Sequence, residues 1–303
     1  MTEVDVVVES GATIAALGID AGSTTCKAVA VDADQQLVAW TLAAMSPHVE
    51  NQTRDTVAAF RDGCGMGPGT PVFATGYGRK LVPDADRAIT EITCHARGVF
   101  ADTGMAGTLI DIGGQDSKVI RIGSNGSPID FAMNDKCAAG TGRFLEHTAG
   151  RLDVALDDLG PTALSAPDAV RITSTCTVFA ESEIISLVAH GETVDRILLG
   201  LHAGLVSRIL AMARSVGLVP PLLLSGGVAR NSAIVALLAE QSGLEVHMPS
   251  RPQLMGAFGA ALLAAERVAS DPVSGPVPQV STQECDRCDE PEGRRGLLGV
   301  FRR

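Results

Sequence analysis

Two cysteines in this sequence each stand just ahead of a predicted helix. Cys137 lies in "NDKCAAGTGRFLE", where small residues separate it from the amphipathic start of a helix at Phe144. Cys176 lies in "STCTVFAESEIISLV", which repeats that layout. The positive end of a helix stabilises a thiolate. From the residues alone, either cysteine could be a buried structural thiol, a nucleophile or a metal ligand.

The other five cysteines carry weaker signals. Cys26 and Cys94 are expected to be buried as small apolar residues. Cys64 lies in a glycine-rich loop and is expected to be unpaired. Cys285 and Cys288 form a lone C-x-x-C near the end of the chain. That pair could hold an extra metal, act as a redox dithiol, or have no role in a disordered tail, and the last is favoured.

A second group of residues could bind phosphate. The stretches "GIDAGSTTCK" (18–27) and "DIGGQDSK" (111–118) each join a strand ending in Asp to a second strand through a turn of small residues. Such turns expose backbone N–H groups that can surround phosphate oxygens. Asp20 and Asp111, at the strand ends, could hold a hydrated Mg²⁺, and Lys27 could reach back toward the phosphate.

Either turn alone is equally compatible with an ordinary tight β-turn. The chain has no G-x-x-x-x-G-K-[ST] and no G-x-G-x-x-G behind a clear strand, which argues against a P-loop or a Rossmann site. A third glycine turn, "SGGVARN" (225–231), follows a buried apolar run. Three such turns together favour a nucleotide cleft.

The predicted elements suit that interpretation. Strands are expected at 14–19 and 27–31, a helix near 50–62, and a second strand, turn and strand unit from 108 onward. The two units lie roughly ninety residues apart, which indicates an internal duplication of an α/β lobe that begins with a β-hairpin.

The remainder of the chain is predicted to be mainly helical after residue 140. A helix is expected to start at Asn231, and "GAFGAALLAAERVA" (256–269) predicts a tightly packed Ala/Gly helix. From Asp271 onward the chain is rich in Pro, Ser and charge, which predicts a tail with little fixed structure.

These three turns resemble the first phosphate, second phosphate and adenosine motifs of the actin, Hsp70 and sugar-kinase ATPase superfamily. The resemblance implies a two-lobed α/β, actin-like (ribonuclease H-like) fold with ATP and Mg²⁺ in a cleft between duplicated lobes. The lobes are predicted at 12–104 and 105–268, with a tail at 269–303.

The same resemblance implies a role for each turn residue. From the first lobe, the residues near the phosphates are Gly22, Ser23, Thr24 and Lys27. From the second lobe, they are Gly113, Gly114 and Gln115. Gly226 and Gly227 would lie by the adenosine, and Gln115 or Asp116 would orient the attacking water.

Four further motifs narrow the family. The stretches are "ATGYGRK" (74–80), "TEITCHARG" (90–98), "MNDKCAAGTGRFLE" (133–146) and "STCTVFAESEIISL" (174–187). Together they resemble the 2-hydroxyacyl-CoA dehydratase activator and benzoyl-CoA reductase ATPase family over residues 14 to 268. His95 in the second motif is expected to be a hydrogen-bonded structural histidine rather than a metal ligand.

The resemblance implies an ATPase coupled to electron transfer. Cys137 and Cys176 from each of two chains would supply the four ligands of one shared [4Fe–4S] cluster. The pair would be a homodimer or a pseudo-symmetric heterodimer of related ATPase subunits. Ferredoxin or flavodoxin would donate the electron, and an iron–sulfur dehydratase or reductase would accept it.

Two partner enzymes remain open at this point. A dehydratase would need only occasional activation, whereas benzoyl-CoA reductase would need ATP at every turnover. "TEITCHARG" and the longer tail favour the reductase subunit slightly. Rival hypotheses on the same fold are a small-molecule (sugar) kinase, which needs a catalytic Asp base and no iron, and an actin-type scaffold.

Bulk composition excludes other classes of function. The formal charge of −11 argues against a nucleic-acid surface, which would need a basic stripe. No uninterrupted apolar run reaches the roughly 18 residues of a membrane helix. The acidic start "MTEVDVVVES" lacks the order of a signal peptide. We therefore expect a cytoplasmic protein with reduced thiols.

Overall fold

The computed structural model describes residues 4–135, 141–173 and 177–270. Cys137 and Cys176 lie outside these ranges, and so do Cys285 and Cys288. The predicted tail and the predicted cluster ligands therefore stay predictions.

The first of two sheets has six strands. They are β1 (Val7–Val8), β2 (Ala16–Ala21), β3 (Thr25–Val31), β4 (Leu37–Ala44), β5 (Val72–Thr75) and β6 (Arg87–Ala88). Their spatial order is β1-β4-β3-β2-β5-β6. β2, β3 and β4 pair antiparallel, and β5 runs parallel to β2. The first predicted phosphate unit is the hairpin β2–β3 at the middle of this sheet.

The second sheet has five strands. They are β7 (Gly107–Ile112), β8 (Ser117–Ile122), β9 (Pro128–Asn134), β10 (Leu222–Ser225) and β11 (Val246–His247). Their spatial order is β11-β10-β7-β8-β9. The edge strand β9 is an addition to the predicted elements. Its sequence has the alternation typical of a strand, with Ile129, Phe131 and Met133 at every second position, but the face that carries these side chains is exposed.

The two hairpins repeat the same register. Asp20 lies directly opposite Lys27 in β2–β3, and Asp111 lies directly opposite Lys118 in β7–β8. Each hairpin has a parallel strand beside its first strand, β5 in one sheet and β10 in the other. This repetition confirms the predicted duplication.

Eight α-helices are described. They are α1 (Val49–Cys64), α2 (Glu91–Thr103), α3 (Gly142–Leu152), α4 (Leu159–Leu164), α5 (Thr177–Ala189), α6 (Val194–Val216), α7 (Ser232–Ser242) and α8 (Met255–Ser270). Single 3₁₀ turns lie at Arg79–Leu81, Leu156–Asp158, Gly227–Arg230 and Pro252–Leu254.

The helices α2 and α8 lie between the two sheets. α8 packs against β2, β3 and β5, whereas α2 packs against α8 and against β8 and β9. Their shared core joins Val29 of the first sheet to Leu109 of the second. The lobe boundaries at 12–104 and 105–268 stay a prediction. That division places α8 in the second lobe, although α8 packs on the first sheet. The helix also runs to Ser270, beyond the predicted start of the tail.

The helix α6 supports the second sheet from its other face. By length and composition it could cross a membrane. In this fold its apolar residues, Leu198, Leu205 and Ile209 among them, are buried in the core formed with β7, β8 and α7. The helix therefore serves as a core element of the second half of the molecule.

Candidate functional site

The two hairpin turns and the turn after β10 meet around one cleft. Most residues predicted to contact nucleotide or Mg²⁺ line it. They are Asp20, Gly22, Ser23, Thr24, Lys27, Asp111, Gly113, Gly114, Gly226 and Gly227. Three segments far apart in sequence are thus brought together as the motifs predict.

The first turn keeps its lysine at the cleft wall. Lys27 Nζ lies 3.0 Å from Asp20 Oδ2, and the lysine side chain keeps 15 % of its surface exposed. A Cβ on Gly22 would meet Thr25 O at 2.9 Å and Lys27 Nζ at 3.2 Å. Glycine therefore leaves this lysine room to lie along the turn, in reach of an anion in the cleft.

The second turn buries its lysine among three carboxylates. Lys118 Nζ lies 2.8 Å from Asp116, 2.9 Å from Glu91 and 3.6 Å from Asp111. Only 3 % of its side-chain surface is exposed. Burial alone would lower the pKa of Lys118, but the carboxylates outweigh burial and raise it above its ordinary value. Although the two hairpins share a register, Lys118 is an internal counter-ion and Lys27 is not.

Asp111 is held from several sides. Its Oδ1 accepts a hydrogen bond from Ser225 Oγ at 2.8 Å, and His95 Nδ1 lies 3.3 Å from the same oxygen. The histidine is close enough to Asp111 for an ion pair, but the angle is wrong for a hydrogen bond, and His95 Nδ1 has no hydrogen-bond partner. Burial alone would raise the pKa of Asp111, but His95 and Lys118 outweigh burial and bring it below its ordinary value.

The two phosphate turns approach each other closely. A Cβ on Gly114 would clash with the side chain of Thr24, which belongs to the other hairpin. Gly226 has φ +88°, and a Cβ there would clash with Ile112 O. Glycine at both positions is therefore required by the close approach of the chain.

Gln115 and Asp116, the two candidates for orienting the attacking water, differ in position. Asp116 lines the cleft, and its carboxylate is paired with Lys118. Gln115 is exposed and is not among the lining residues. The predicted binding and water-orienting roles of Gln115 therefore receive no support from its position.

Several lining residues were not predicted from sequence. They are Tyr77, Glu91, Asp157, Arg230, Asn231 and Gln253, with His95 assigned only a structural role. A signal existed for five of them: Glu91 and His95 belong to "TEITCHARG" and face the second hairpin from α2, Tyr77 belongs to "ATGYGRK", and Arg230 and Asn231 belong to "SGGVARN". His95 has a carboxylate partner but no hydrogen bond at Nδ1, so its predicted role is met only in part.

The described cysteines are free thiols as predicted, but Cys64 is the last residue of α1 and does not lie in the predicted loop. Cys26 and Cys94 are buried free thiols, and burial raises their pKa values to about 11 and about 12. Cys64 is a half-buried free thiol at the end of α1. None of the three therefore has the lowered pKa of a reactive thiolate.

The described residues include side chains of the types that bind metal ions. Within 4–135, 141–173 and 177–270, no group of three or more His, Cys, Asp or Glu side chains is arranged to hold a metal ion. Cys137 and Cys176 fall outside those ranges. The helix α5 begins at Thr177, directly after Cys176, and α3 begins at Gly142. A helix follows each cysteine motif, as predicted, and α3 begins at Gly142, ahead of the predicted start at Phe144.

Comparison with known proteins points to one family. The sequence model of the BadF/BadG/BcrA/BcrD ATPase family matches residues 17–264. The 2-hydroxyisocaproyl-CoA dehydratase activator of Clostridioides difficile is 40% identical, over 82% of this chain and 94% of its own length. The activator of lactoyl-CoA dehydratase of Anaerotignum propionicum is 42% identical, over 82% of this chain and 97% of its own.

A more distant relative belongs to the reductase branch. A benzoyl-CoA reductase subunit of Thauera aromatica is 31% identical, over 65% of this chain and 71% of its own length.

Solved structures agree with the fold. The activator of the 2-hydroxyisocaproyl-CoA dehydratase from Clostridium difficile, solved with bound ADPNP, has a TM-score of 0.78 and 37% identity, covering 87% of this chain and 99% of its own. A ROK family glucokinase from Streptomyces griseus has a TM-score of 0.53 at 15% identity, covering 83% of this chain and 99% of its own. The second likeness shows the fold alone.

Proposed function

This chain belongs to the BadF/BadG/BcrA/BcrD ATPase family, and from that premise we propose that it hydrolyses ATP to deliver a low-potential electron to a 2-hydroxyacyl-CoA dehydratase. The observation that carries the ATPase part is the cleft where two Asp–Lys hairpins and the turn at Gly226 converge. The electron-transfer part rests on the family and on the two cysteine motifs.

Within the cleft the chain's own residues would divide the work. Lys27 would contact phosphate, because it has a single carboxylate partner and part of its side chain is exposed in the cleft. Asp116 would orient the attacking water, because Lys118 holds its carboxylate in the cleft wall. Gln115 would contact the nucleotide or the attacking water only if its turn moved toward the cleft.

A magnesium ion suits the two strand-end carboxylates. Asp20 and Asp111 are buried side chains in the cleft wall, and Mg²⁺ is commonly bound through one or two carboxylates while it keeps several waters. These two residues would hold the ion, which would neutralise phosphate charge during hydrolysis.

The cysteine motifs suit a shared cluster. Cys137 and Cys176 from each of two chains would hold one [4Fe–4S] cluster, which supplies one-electron transfer. The two sequence motifs support this assignment, since each places a cysteine ahead of a helix and a helix N-terminus stabilises a thiolate. The chain would then act as a homodimer, or beside a related subunit, in the cytoplasm, with ferredoxin or flavodoxin as donor.

The dehydratase is preferred to benzoyl-CoA reductase as the partner. The support is the degree of similarity: two dehydratase activators are 40% and 42% identical over 82% of the chain, against 31% over 65% for the reductase subunit. The motif and tail length that favoured the reductase are weaker grounds, because "TEITCHARG" supplies cleft residues that any ATPase of this fold could use.

Counting iron under anaerobic conditions tests the proposal. We expect about two irons and two acid-labile sulfides per chain, because four of each would be shared by two chains. Cys137→Ala and Cys176→Ala should each lose them. The double variant Cys285→Ala/Cys288→Ala is the matched control and should keep them.

Other outcomes would replace the proposal. Absence of iron from the unmodified protein, together with ATP-dependent phosphorylation of a sugar, would favour the kinase hypothesis. About four irons per chain, lost in the Cys285/Cys288 double variant, would mean that all four ligands come from one subunit.

A further inference from the structure

A buried histidine lies directly behind the turn at residues 226–231, which follows β10. His202 of α6 is fully buried, and it has no part in the proposed ATP hydrolysis as described above. Its Nδ1 lies 2.7 Å from the carbonyl oxygen of Leu198, and its Nε2 lies 2.9 Å from Asn231 Nδ2. Asn231 lines the cleft and is the N-cap of α7.

These contacts allow only one arrangement of protons. A carbonyl oxygen can only accept, so His202 Nδ1 must carry the proton that is donated to Leu198. In the neutral ring, Nε2 is then an acceptor and receives a hydrogen bond from Asn231 Nδ2. Burial lowers the pKa of His202, which favours the neutral ring.

The orientation of the Asn231 side-chain amide agrees with this direction of the hydrogen bond. Its Oδ1 accepts from the backbone N–H of Ala233 at 3.0 Å and of Ile234 at 3.3 Å. Flipping the amide would place an NH₂ group against those two donors and an oxygen against the lone pair of Nε2. Asn231 also donates its backbone N–H to Val228 O, which closes the turn beside the cleft.

The neighbouring helix leaves little room for an alternative. A Cβ on Gly160 of α4 would lie 2.9 Å from Asn231 Oδ1 and 2.6 Å from Ser232 Oγ. The start of α7 is therefore enclosed by α4 on one side and bonded to α6 on another.

We propose that His202 is a positioning residue of the nucleotide site: by accepting from Asn231 it fixes the amide of that cap and holds the 226–231 turn in its binding conformation. This inference rests on the proposed ATP-binding function. His202 acts through Asn231, which itself lines the cleft.

A pair of substitutions separates positioning from simple packing. His202→Gln keeps an amide long enough to accept from Asn231, whereas His202→Asn is too short to reach it. His202→Gln gives up the hydrogen bond to Leu198 and His202→Asn gives up the one from Asn231, so each variant loses one of the two and their losses of thermal stability should be similar. ADP affinity, measured by isothermal titration, should fall roughly tenfold in H202N and stay within about threefold in H202Q.

A spectroscopic measurement tests which ring nitrogen of His202 carries the proton. ¹⁵N NMR of the unmodified full chain should show His202 as the neutral Nδ1–H tautomer. Asn231→Asp keeps a good helix cap but removes the donor, so His202 should become doubly protonated near neutral pH.

The contradicting results are distinct. Equal ADP affinity in H202N and H202Q, or an Nε2–H tautomer in the unmodified protein, would overturn the positioning role while leaving the proposed function intact. Failure of the unmodified protein to bind ADP would overturn the proposed function and, with it, the role of His202.

Discussion

Replacing Lys118 by Met is expected to lower the free energy of unfolding by about 3–5 kcal/mol, because it leaves three carboxylates close together without their cation. Lys118 Nζ lies within 3.6 Å of Asp111, Glu91 and Asp116, and almost none of the side chain reaches solvent. Chemical denaturation at neutral pH measures the change. ATP hydrolysis should fall as well, since the same lysine holds Asp116 at the cleft wall.

Lys27→Met is the matched control, since Lys27 occupies the same register in the first hairpin. It has one carboxylate partner, Asp20, and retains some exposure, so its replacement should cost less stability and mainly weaken ATP binding. A Lys118→Met variant no less stable than Lys27→Met would contradict the assignment of Lys118 as an internal counter-ion.

Acidification should further distinguish Lys118→Met from the unmodified protein. In the unmodified protein the pKa of Asp111 is lowered, so its contribution to stability is present above the unfolded pKa of about 3.9 and is lost as pH falls through the folded pKa. The pKa of Lys118 is raised, so its contribution is complete below about 10.4 and persists through neutral pH. In Lys118→Met the pKa of Asp111 rises because one of its cationic neighbours is lost, so the stability difference should shrink as pH falls from 7 toward 5.

A methyl group at Gly259 is expected to destabilise the protein by about 3 kcal/mol, at the upper end of the usual cost of overpacking. The added Cβ would overlap the carbonyl oxygen of Cys94, and it would lie 3.0 Å from Cys94 Cα. A Cβ on Gly98 of α2 would likewise clash with the carbonyl oxygen of Met255 on α8, at 2.2 Å. Because the obstructing atoms are backbone, α2 and α8 would have to separate.

Gly150→Ala is the control for this substitution. Gly150 is an exposed residue of α3 with open space around it, so alanine there should raise stability by up to about 1 kcal/mol through helix propensity. Urea denaturation of both variants gives the comparison. Equal stability of Gly259→Ala and the unmodified protein would show that α2 and α8 do not cross as closely as described.

The hairpins could be predicted from sequence because their signals are local. A strand ending in Asp, a turn of small residues and a following strand with Lys all fall within ten residues, and Asp20 pairs with Lys27 across that one turn. The start of α7 was equally accessible, since Asn231 is a strong N-cap residue.

Long-range partners could not be predicted in this way. The salt bridge between Glu91 and Lys118 joins α2 to β8, and no local pattern shows that the two would meet. The packing of α8 on the first sheet likewise depends on Gly18, whose Cβ would clash with the carbonyl of Ala257. His202 is a single histidine in an apolar helix, and no local pattern shows that it would meet Asn231.

Turn geometry limited the assignment of the water-orienting residue. Gln115 and Asp116 are neighbours in one turn, so sequence could not tell which side chain faces the cleft. The register of β7 and β8, with Asp111 opposite Lys118, brings Asp116 within reach of that lysine and leaves Gln115 in solvent.

The most direct test of the account is whether ATP controls electron delivery. The anaerobically purified protein would be reduced with dithionite and mixed in a stopped-flow instrument with a 2-hydroxyacyl-CoA dehydratase and either MgATP or MgADP. We expect rapid oxidation of the reduced protein, with phosphate release, only in the presence of MgATP. Oxidation at the same rate with MgADP, or hydrolysis of ATP with no loss of the electron, would contradict the proposal that this ATPase drives electron transfer.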